Sequence, residues 1–179
     1  METTAIHLSL KDLALRGGER HERTYPIEIA PIVLGGQRCE VLVPNGVTLV
    51  VDRVAGGFLV TVSLVASLYG PCDRCLREAP IQVKAKEQEF VPTAKDGWDE
   101  AELSPFIEDL VVDVSALARE ATVLALPSQV VCSEECPGLC PICGHDLNAG
   151  PCGCPPGATD ERWMALKDLH LDDQRGPAS

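Results

Sequence analysis

The chain has 179 residues, of which 45% are hydrophobic and only 4% aromatic, and its formal net charge is -12 at pH 7. A chain of this length forms one domain, or one domain with a small appendage, and its core must consist mainly of aliphatic side chains. This net negative charge excludes a basic surface over the whole chain, of the kind that binds the phosphates of RNA. No run of about 18 apolar residues is present to span a bilayer as a helix.

Alternating apolar residues predict strands in the first half of the chain. The alternation is weaker before Val47, where prolines and Gly35-Gly36 interrupt it. Further on, Ala55-Gly56-Gly57 separates two alternating runs and predicts a hairpin, and a turn at Gly70-Pro71 leads into a second one. The predicted strands are Ile6 to Leu10, Tyr25 to Val33, Val41 to Val43, Val47 to Val51, Phe58 to Leu68 and Ile81 to Ala85.

An acidic stretch and a helix follow these strands. Residues 87–113 contain nine carboxylates and one lysine, which predicts a solvated acidic loop that leads into a short strand at Ile107 to Val112. Ser115 can cap a helix over residues 115–126, whose apolar side chains recur at helical spacing and which Pro127 ends. Residues 1–127 are therefore predicted to form a β-rich domain with one packed helix.

Eight of the nine cysteines fall into four close pairs. Two such pairs supply the four thiolates of a closed tetrahedral zinc site, so eight cysteines suffice for two structural sites. The last two pairs span a short stretch and are expected to form a local site, which leaves the first two pairs for a long-range site. The alternative in which Cys72 and Cys75 share a site with Cys140 and Cys143 remains open. The expected ligands are Cys72, Cys75, Cys132 and Cys136 for site 1, and Cys140, Cys143, Cys152 and Cys154 for site 2.

Other uses of the cysteines remain as alternatives. The segment Met1-Glu2-Thr3-Thr4 lacks the features of a signal peptide, so we expect a cytoplasmic protein, in which metal ligands are more common than disulfides. A redox pair at Cys72 and Cys75 would need a surrounding βαβ unit, and none is predicted. Cys39 stands alone as a small core residue, and His145 is an alternative ligand beside site 2.

The C-terminal part is predicted to be a zinc-knuckle region over residues 128–171. A terminal helix starts after Asp160 and carries Trp163, and residues 172–179 form a polar tail that we expect to be disordered. The predicted fold class is α+β: a mostly antiparallel sheet, barrel-like in its N-terminal and central part, one packed helix and a zinc-knuckle segment with a short helix.

The order and spacing of several motifs resemble those of the bacterial and plastid YceD family, the large ribosomal RNA subunit accumulation proteins. The motifs are Cys72-Asp73-Arg74-Cys75-Leu76, Arg119-Glu120, Leu124-Ala125-Leu126-Pro127, Cys132-x3-Cys136-Pro137-Gly138-Leu139-Cys140-Pro141-Ile142-Cys143-Gly144, Cys152-x-Cys154 and Asp160-Glu161-Arg162-Trp163. Glu161 departs from the proline of many relatives. The resemblance implies a cytoplasmic, non-enzymatic ribosome biogenesis factor that is needed for 23S rRNA to accumulate or to be processed.

Two hypotheses for the mechanism follow. The acidity favours a basic partner, such as a large-subunit ribosomal protein in a pre-ribosomal particle, which this factor would escort. Alternatively, the knuckles bind pre-23S rRNA directly through nearby basic residues. An enzyme is the weakest hypothesis, because a site closed by four cysteines has no open position for water or substrate. The candidate RNA or partner contacts are Arg74, Arg77, Lys84, Lys86 and Trp163.

Overall fold

The computed structural model describes residues 5–94, 97–99 and 102–155. They divide into two compact units, with the division between Cys136 and Pro137. The elements are β1 (His7–Ser9), β2 (Arg20–Tyr25), β3 (Ile32–Leu34), β4 (Gln37–Leu42), β5 (Val47–Val54), β6 (Gly57–Pro71), β7 (Glu78–Pro92), β8 (Ile107–Glu108), β9 (Val111–Asp113), the helix α1 (Val114–Leu124) and a 3-10 turn at Leu147–Ala149.

The main sheet is built around β6. Strand β7 pairs with one edge of β6 along its whole length, while β5 and then β4 pair with the other edge. Strand β2 lies outside β5, and β3 lies outside β4. All of these pairs are antiparallel, which confirms the predicted α+β class, although the strands that the structure describes form open sheets and not a closed barrel.

The core lies on one face of this sheet, where α1 packs against β6 and β7. The inner side chains Val60, Val62 and Ala66 of β6 are fully buried, as are Leu117 and Ala118 of the helix. Each fully buried aliphatic side chain contributes about 1.5 to 3 kcal/mol to folding. Side chains at the intervening positions of β6 point away from the helix and form the outer face of the sheet.

A second, small sheet has the order β1-β9-β8 and leads directly into α1. The amide of Val114 at the helix start donates to the carbonyl of Ile6 at 2.9 Å, so the small sheet holds the N-terminal end of the helix. Within the part of the chain that the structure describes, no helix has the length and apolar character needed to cross a membrane.

Three of the predicted strand assignments are wrong. The single strand predicted at Ile107 to Val112 is the hairpin of β8 and β9, because Asp109 and Leu110 have positive φ and reverse the chain. Strand β7 continues to Pro92, so residues 87–92 of the predicted acidic loop are strand, because the apolar inner positions Ala85 and Val91 remain opposite the long partner β6. The strand candidate from Tyr25 to Val33, interrupted by prolines, is strand only at its two ends, where β2 ends at Tyr25 and β3 begins at Ile32. Pro26 and Pro31 separate them, since proline cannot donate a backbone hydrogen bond to a sheet.

The helix cap is also different from the prediction. Asp113, not Ser115, caps α1, and its carboxylate accepts from the amide of Ala116 at 2.9 Å. The Ser115 hydroxyl instead accepts from the amide of Ile6 at 2.9 Å. The predicted terminal helix after Asp160, Trp163 and the tail 172–179 lie outside the described residues. The predicted domain boundary at residue 127 stays a prediction.

The cap predicts a stability effect. Replacing Asp113 with alanine leaves the amide of Ala116 without its acceptor, and we expect a loss of about 1 kcal/mol in the free energy of unfolding. Asp113→Asn should retain most of this stability because its side-chain oxygen still accepts. Urea unfolding of both variants checks the prediction, and an equal loss in the two would contradict it.

Candidate metal centres

The structure brings the sulfur atoms of eight cysteines together in two groups of four. Group 1 consists of Cys72, Cys75, Cys132 and Cys136, and group 2 consists of Cys140, Cys143, Cys152 and Cys154. Within each group all sulfurs lie within 4.8 Å of one another. No disulfide is formed by any of the nine cysteines. The first group belongs to the first unit and the second group to the second unit.

A tight turn at the tip of the β6–β7 hairpin places the first pair. The amide of Cys72 donates to the carbonyl of Arg77 at 2.7 Å, and the amide of Leu76 donates back to the carbonyl of Cys72 at 2.9 Å. Leu76 has a positive φ of 63°, which reverses the chain after Cys75. As a result Cys72 and Cys75 face inward and are only 0% and 4% exposed.

The residues between these two cysteines attach the hairpin tip to the second pair. Asp73 makes two bonds with Val130: its amide donates to the Val130 carbonyl at 2.7 Å, and its carboxylate accepts from the Val130 amide at 2.8 Å. The guanidinium of Arg74 donates to the carbonyls of Glu134 and Cys136 at 3.0 and 3.1 Å. Both side chains therefore hold the segment that carries Cys132 and Cys136.

The environment of group 1 separates the proton affinities of its thiols. Burial acts to raise the pKa of Cys72, but backbone amides, among them that of Arg74 at 3.4 Å, donate to its sulfur and bring the pKa down to about 6. The Arg77 guanidinium lowers the pKa of the Cys75 thiol. The neighbouring sulfur of Cys136 raises the pKa of Cys132 to about 11, since negative charge in the group opposes a further thiolate.

Group 2 is built in a similar way. The amide of Cys140 donates to the carbonyl of His145, and the amide of Gly144 donates to the carbonyl of Cys140, both at 2.8 Å. Backbone amides of Cys143 and Ile142 lower the pKa of Cys140 to about 6. The sulfur of Cys143 raises the pKa of Cys154 to about 12, so one thiolate is again favoured and another is opposed.

The donor sets fit a divalent zinc ion. A zinc–sulfur distance of about 2.3 Å places the sulfurs of a tetrahedral site about 3.8 Å apart. In group 1 the sulfurs of Cys72 and Cys136 are 3.9 Å apart, and those of Cys75 and Cys132 are 3.7 Å apart. A bound cation would supply a closed structural cross-link between the residues of each group and stabilise all four thiolates.

The other predicted site residues lie in different places. The guanidinium of Arg77 is 4.0 Å from the sulfur of Cys132, so it borders group 1. Lys84 and Lys86 lie on β7 opposite Val65 and Ser63, about 20 Å or more along the strand from Arg77. Neither group contains His145, whose carbonyl supports Cys140. Trp163 lies outside the described residues.

Cys39 is a core residue, as the sequence predicted. Its side chain is 2% exposed, and burial raises the pKa of its thiol, with the charge of Asp73 adding to the shift. Sequence reasoning missed the structural role of Asp73. The feature of the sequence from which this role could have been predicted is the position of Asp73 between two paired cysteines, where a short acceptor can reach backbone amides.

The contacts of Arg74 predict an effect on metal retention. Replacing it with glutamine removes the guanidinium from two carbonyls that flank Cys136, and we expect about tenfold faster loss of zinc from site 1 to a chromophoric chelator. Lys86→Gln is the matched control, because it removes one cation from the same hairpin far from the sulfurs. Equal rates of zinc loss in the two variants would contradict this role.

Comparison with known proteins finds similarity over a longer part of the chain than the two cysteine groups. A protein-family model described as large ribosomal RNA subunit accumulation protein YceD matches residues 60–170. Uncharacterised proteins of Mycobacterium bovis and Mycobacterium tuberculosis are each 35% identical over 122 residues, which is 66% of this chain and 58% of theirs. An uncharacterised protein of Mycobacterium leprae is 29% identical over 133 residues, 73% of this chain and 61% of its own.

The chain thus spans less than two thirds of the length of these curated relatives. No solved structure matches the chain. The family model covers well over half of the chain, and the matched range includes β7, α1 and both groups of four cysteines. The chain therefore belongs to the YceD family of large ribosomal RNA subunit accumulation proteins.

Proposed function

We propose that this protein is a cytoplasmic, non-enzymatic ribosome biogenesis factor with two structural zinc sites, which promotes 23S rRNA accumulation and large-subunit assembly through a basic large-subunit ribosomal protein. Membership of the YceD family supports the link to the large subunit. The proposed ligands are the two groups of four cysteines. Four thiolates around one divalent ion leave no open coordination position, which supports a structural and not a catalytic role.

The observation that carries the proposed partner is the charge. The formal net charge is -12, and each zinc ion with four thiolates adds roughly -2. Ribosomal proteins that bind rRNA need basic surfaces to do so. An acidic factor attracts such a protein over long range and competes with RNA for the same basic surface.

An acidic surface for this contact lies around the β8–β9 hairpin. Its carboxylates are solvent-exposed and concentrated in a short stretch of chain. They belong to Asp99, Glu102, Glu108 and Asp109. The side chains of Glu108 and Asp109 also border a surface cavity of about 430 Å³ together with His7 and Asp113. A lysine-rich segment of a ribosomal protein has the complementary charge for this surface.

The test is a binding titration of the zinc-loaded full chain against isolated large-subunit ribosomal proteins. We expect at least one to bind with an association rate that falls steeply with salt. Glu108→Gln with Asp109→Asn should slow association several-fold. Glu22→Gln with Glu28→Gln, an equal charge change at exposed positions elsewhere, is the control. Tight binding of rRNA fragments with no ribosomal protein bound would refute the proposal.

A further inference from the structure

The outer face of the main sheet contains a cavity at an interruption between two strands. Leu42 at the end of β4 pairs with Ser67, and Val47 at the start of β5 pairs with Leu64. The four residues 43–46 therefore lie opposite only two residues of β6, and the sheet is locally open. A cavity of about 370 Å³ lies there. Its lining includes Asn45, Gly46, Thr48, Ser63, Val65, Lys84 and Lys86.

The backbone fixes the shape of this cavity. Gly46 has a φ of +68°, and a Cβ atom at this position would collide with the carbonyl oxygen of Tyr25. Only glycine adopts this conformation at so close an approach. The hydroxyl of Thr48 is 3.1 Å from that of Thr24, so the rim of the cavity on the β5 side is also held in place.

The two lysines give the cavity a positive charge within an acidic protein. Lys84 and Lys86 are exposed, point to the same face of β7, and form no ion pair among the residues described. The adjacent carboxylates Glu87 and Glu89 point to the opposite face of the strand. On the outer face, Glu22 lies on β2, three strand spacings or about 14 Å from β7.

Of the remaining charges of this face, four form ion pairs, while the exposed carboxylate of Glu78 lies six residues along β7 from Lys84, about 20 Å away. Arg20 pairs with Asp52 at 2.6 Å, and Arg38 pairs with Glu40 at 2.9 Å. Beyond the cavity, Tyr69 is 37% exposed on the outer face, where an unstacked base could pack against its ring. Ammonium groups, hydroxyls and an aromatic ring on an open sheet face are the groups that bind single-stranded nucleic acid.

We propose that this cavity, called the outer-face groove from here on, binds backbone phosphates of single-stranded RNA through Lys84 and Lys86, with Tyr69 stacking on a neighbouring base. The hydroxyls of Thr48 and Ser63 and the amide of Asn45 surround the position of the phosphates. Because the rest of the protein repels a polyanion, the contact is small, and about two phosphates take part. The proposal goes beyond a ribosomal-protein partner and does not depend on one.

The test measures fluorescence anisotropy of a labelled 12-nucleotide single-stranded RNA with the zinc-loaded full chain at several salt concentrations. Each phosphate contact on a single strand contributes about 0.7 to the slope of log K against log salt, so we expect a slope of about -1.4. Lys84→Gln with Lys86→Gln should remove this slope and weaken binding roughly 25-fold at 0.1 M salt. Tyr69→Ser should weaken binding at least about fivefold without changing the slope.

Lys11→Gln with Arg16→Gln is the matched control, since it removes two exposed cations elsewhere in the first unit and changes the net charge equally. It should bind RNA within about twofold of the unaltered chain, because neither residue lines the groove. An equal loss in this control, an unchanged slope in the Lys84 and Lys86 variant, or no binding of the 12-mer at low salt would each overturn the proposal. Displacement of the RNA by an equal concentration of inorganic phosphate would assign the groove to free anions and also overturn it.

Discussion

Replacing Cys72 with serine should lower the free energy of unfolding by at least about 3 kcal/mol and remove one of the two proposed zinc ions. The reason is the distance along the chain that site 1 spans. Its four sulfurs join the tip of the β6–β7 hairpin to residues 132–136, so loss of the metal weakens the long-range contacts made by Asp73 and Arg74. A chain of this size should then melt about 10 °C lower.

Cys152→Ser is the matched control for this prediction. It also removes one zinc ion, but its site joins residues only 14 apart at most in the second unit, from Cys140 to Cys154. We expect the melting of the first unit to change by less than about 1 kcal/mol. Thermal unfolding followed by far-UV circular dichroism, with zinc counted by mass spectrometry, checks both variants. Equal losses of melting temperature would contradict the assignment of site 1 as the long-range cross-link.

Gly70→Ala should destabilise the sheet by about 2 to 3 kcal/mol. A Cβ atom at Gly70 would collide with the sulfur of Cys39, which is buried on the neighbouring strand β4 and has little room to move. The strain would arise two residues before Cys72, so the variant should also hold zinc more weakly at site 1. Urea unfolding and zinc release measured on the same samples check both expectations.

The double variant with Cys39→Ala tests the cause of this loss. Removing the sulfur leaves the Cβ of Cys39 3.3 Å from the new methyl group, a tight but tolerable contact, so at least half of the lost stability should return. Gly17→Ala is the control, because nothing lies within 4 Å of a Cβ there. An absence of coupling between positions 39 and 70 would show that the collision is not the cause.

The sequence predicted the central hairpins and the grouping of the cysteines well, for identifiable physical reasons. Alternation along β5 and β6 is strong because one face of these strands is completely buried, as at Val60 and Val62. The grouping followed from loop length, since cysteines close in sequence form a local site at low entropic cost. The structure brings the same two groups of sulfurs together.

Other features depend on contacts that spacing does not reveal. The helix cap moved from Ser115 to Asp113 because the small sheet uses the Ser115 hydroxyl for Ile6. Arg74 and Lys84 looked like parts of one basic cluster, yet the first donates to carbonyls beside Cys136 while the second lies in the middle of a long strand. The length of β7 was missed because composition suggested an acidic loop where pairing with β6 continues.

The most direct test of the proposed function is an affinity purification of the zinc-loaded protein from growing cells. The sample is divided into nuclease-treated and untreated halves and analysed by mass spectrometry and RNA sequencing. A factor that acts through a basic partner should retain one or more large-subunit ribosomal proteins after nuclease treatment. Retention of a protected 23S rRNA fragment, with every ribosomal protein lost on nuclease treatment, would contradict it.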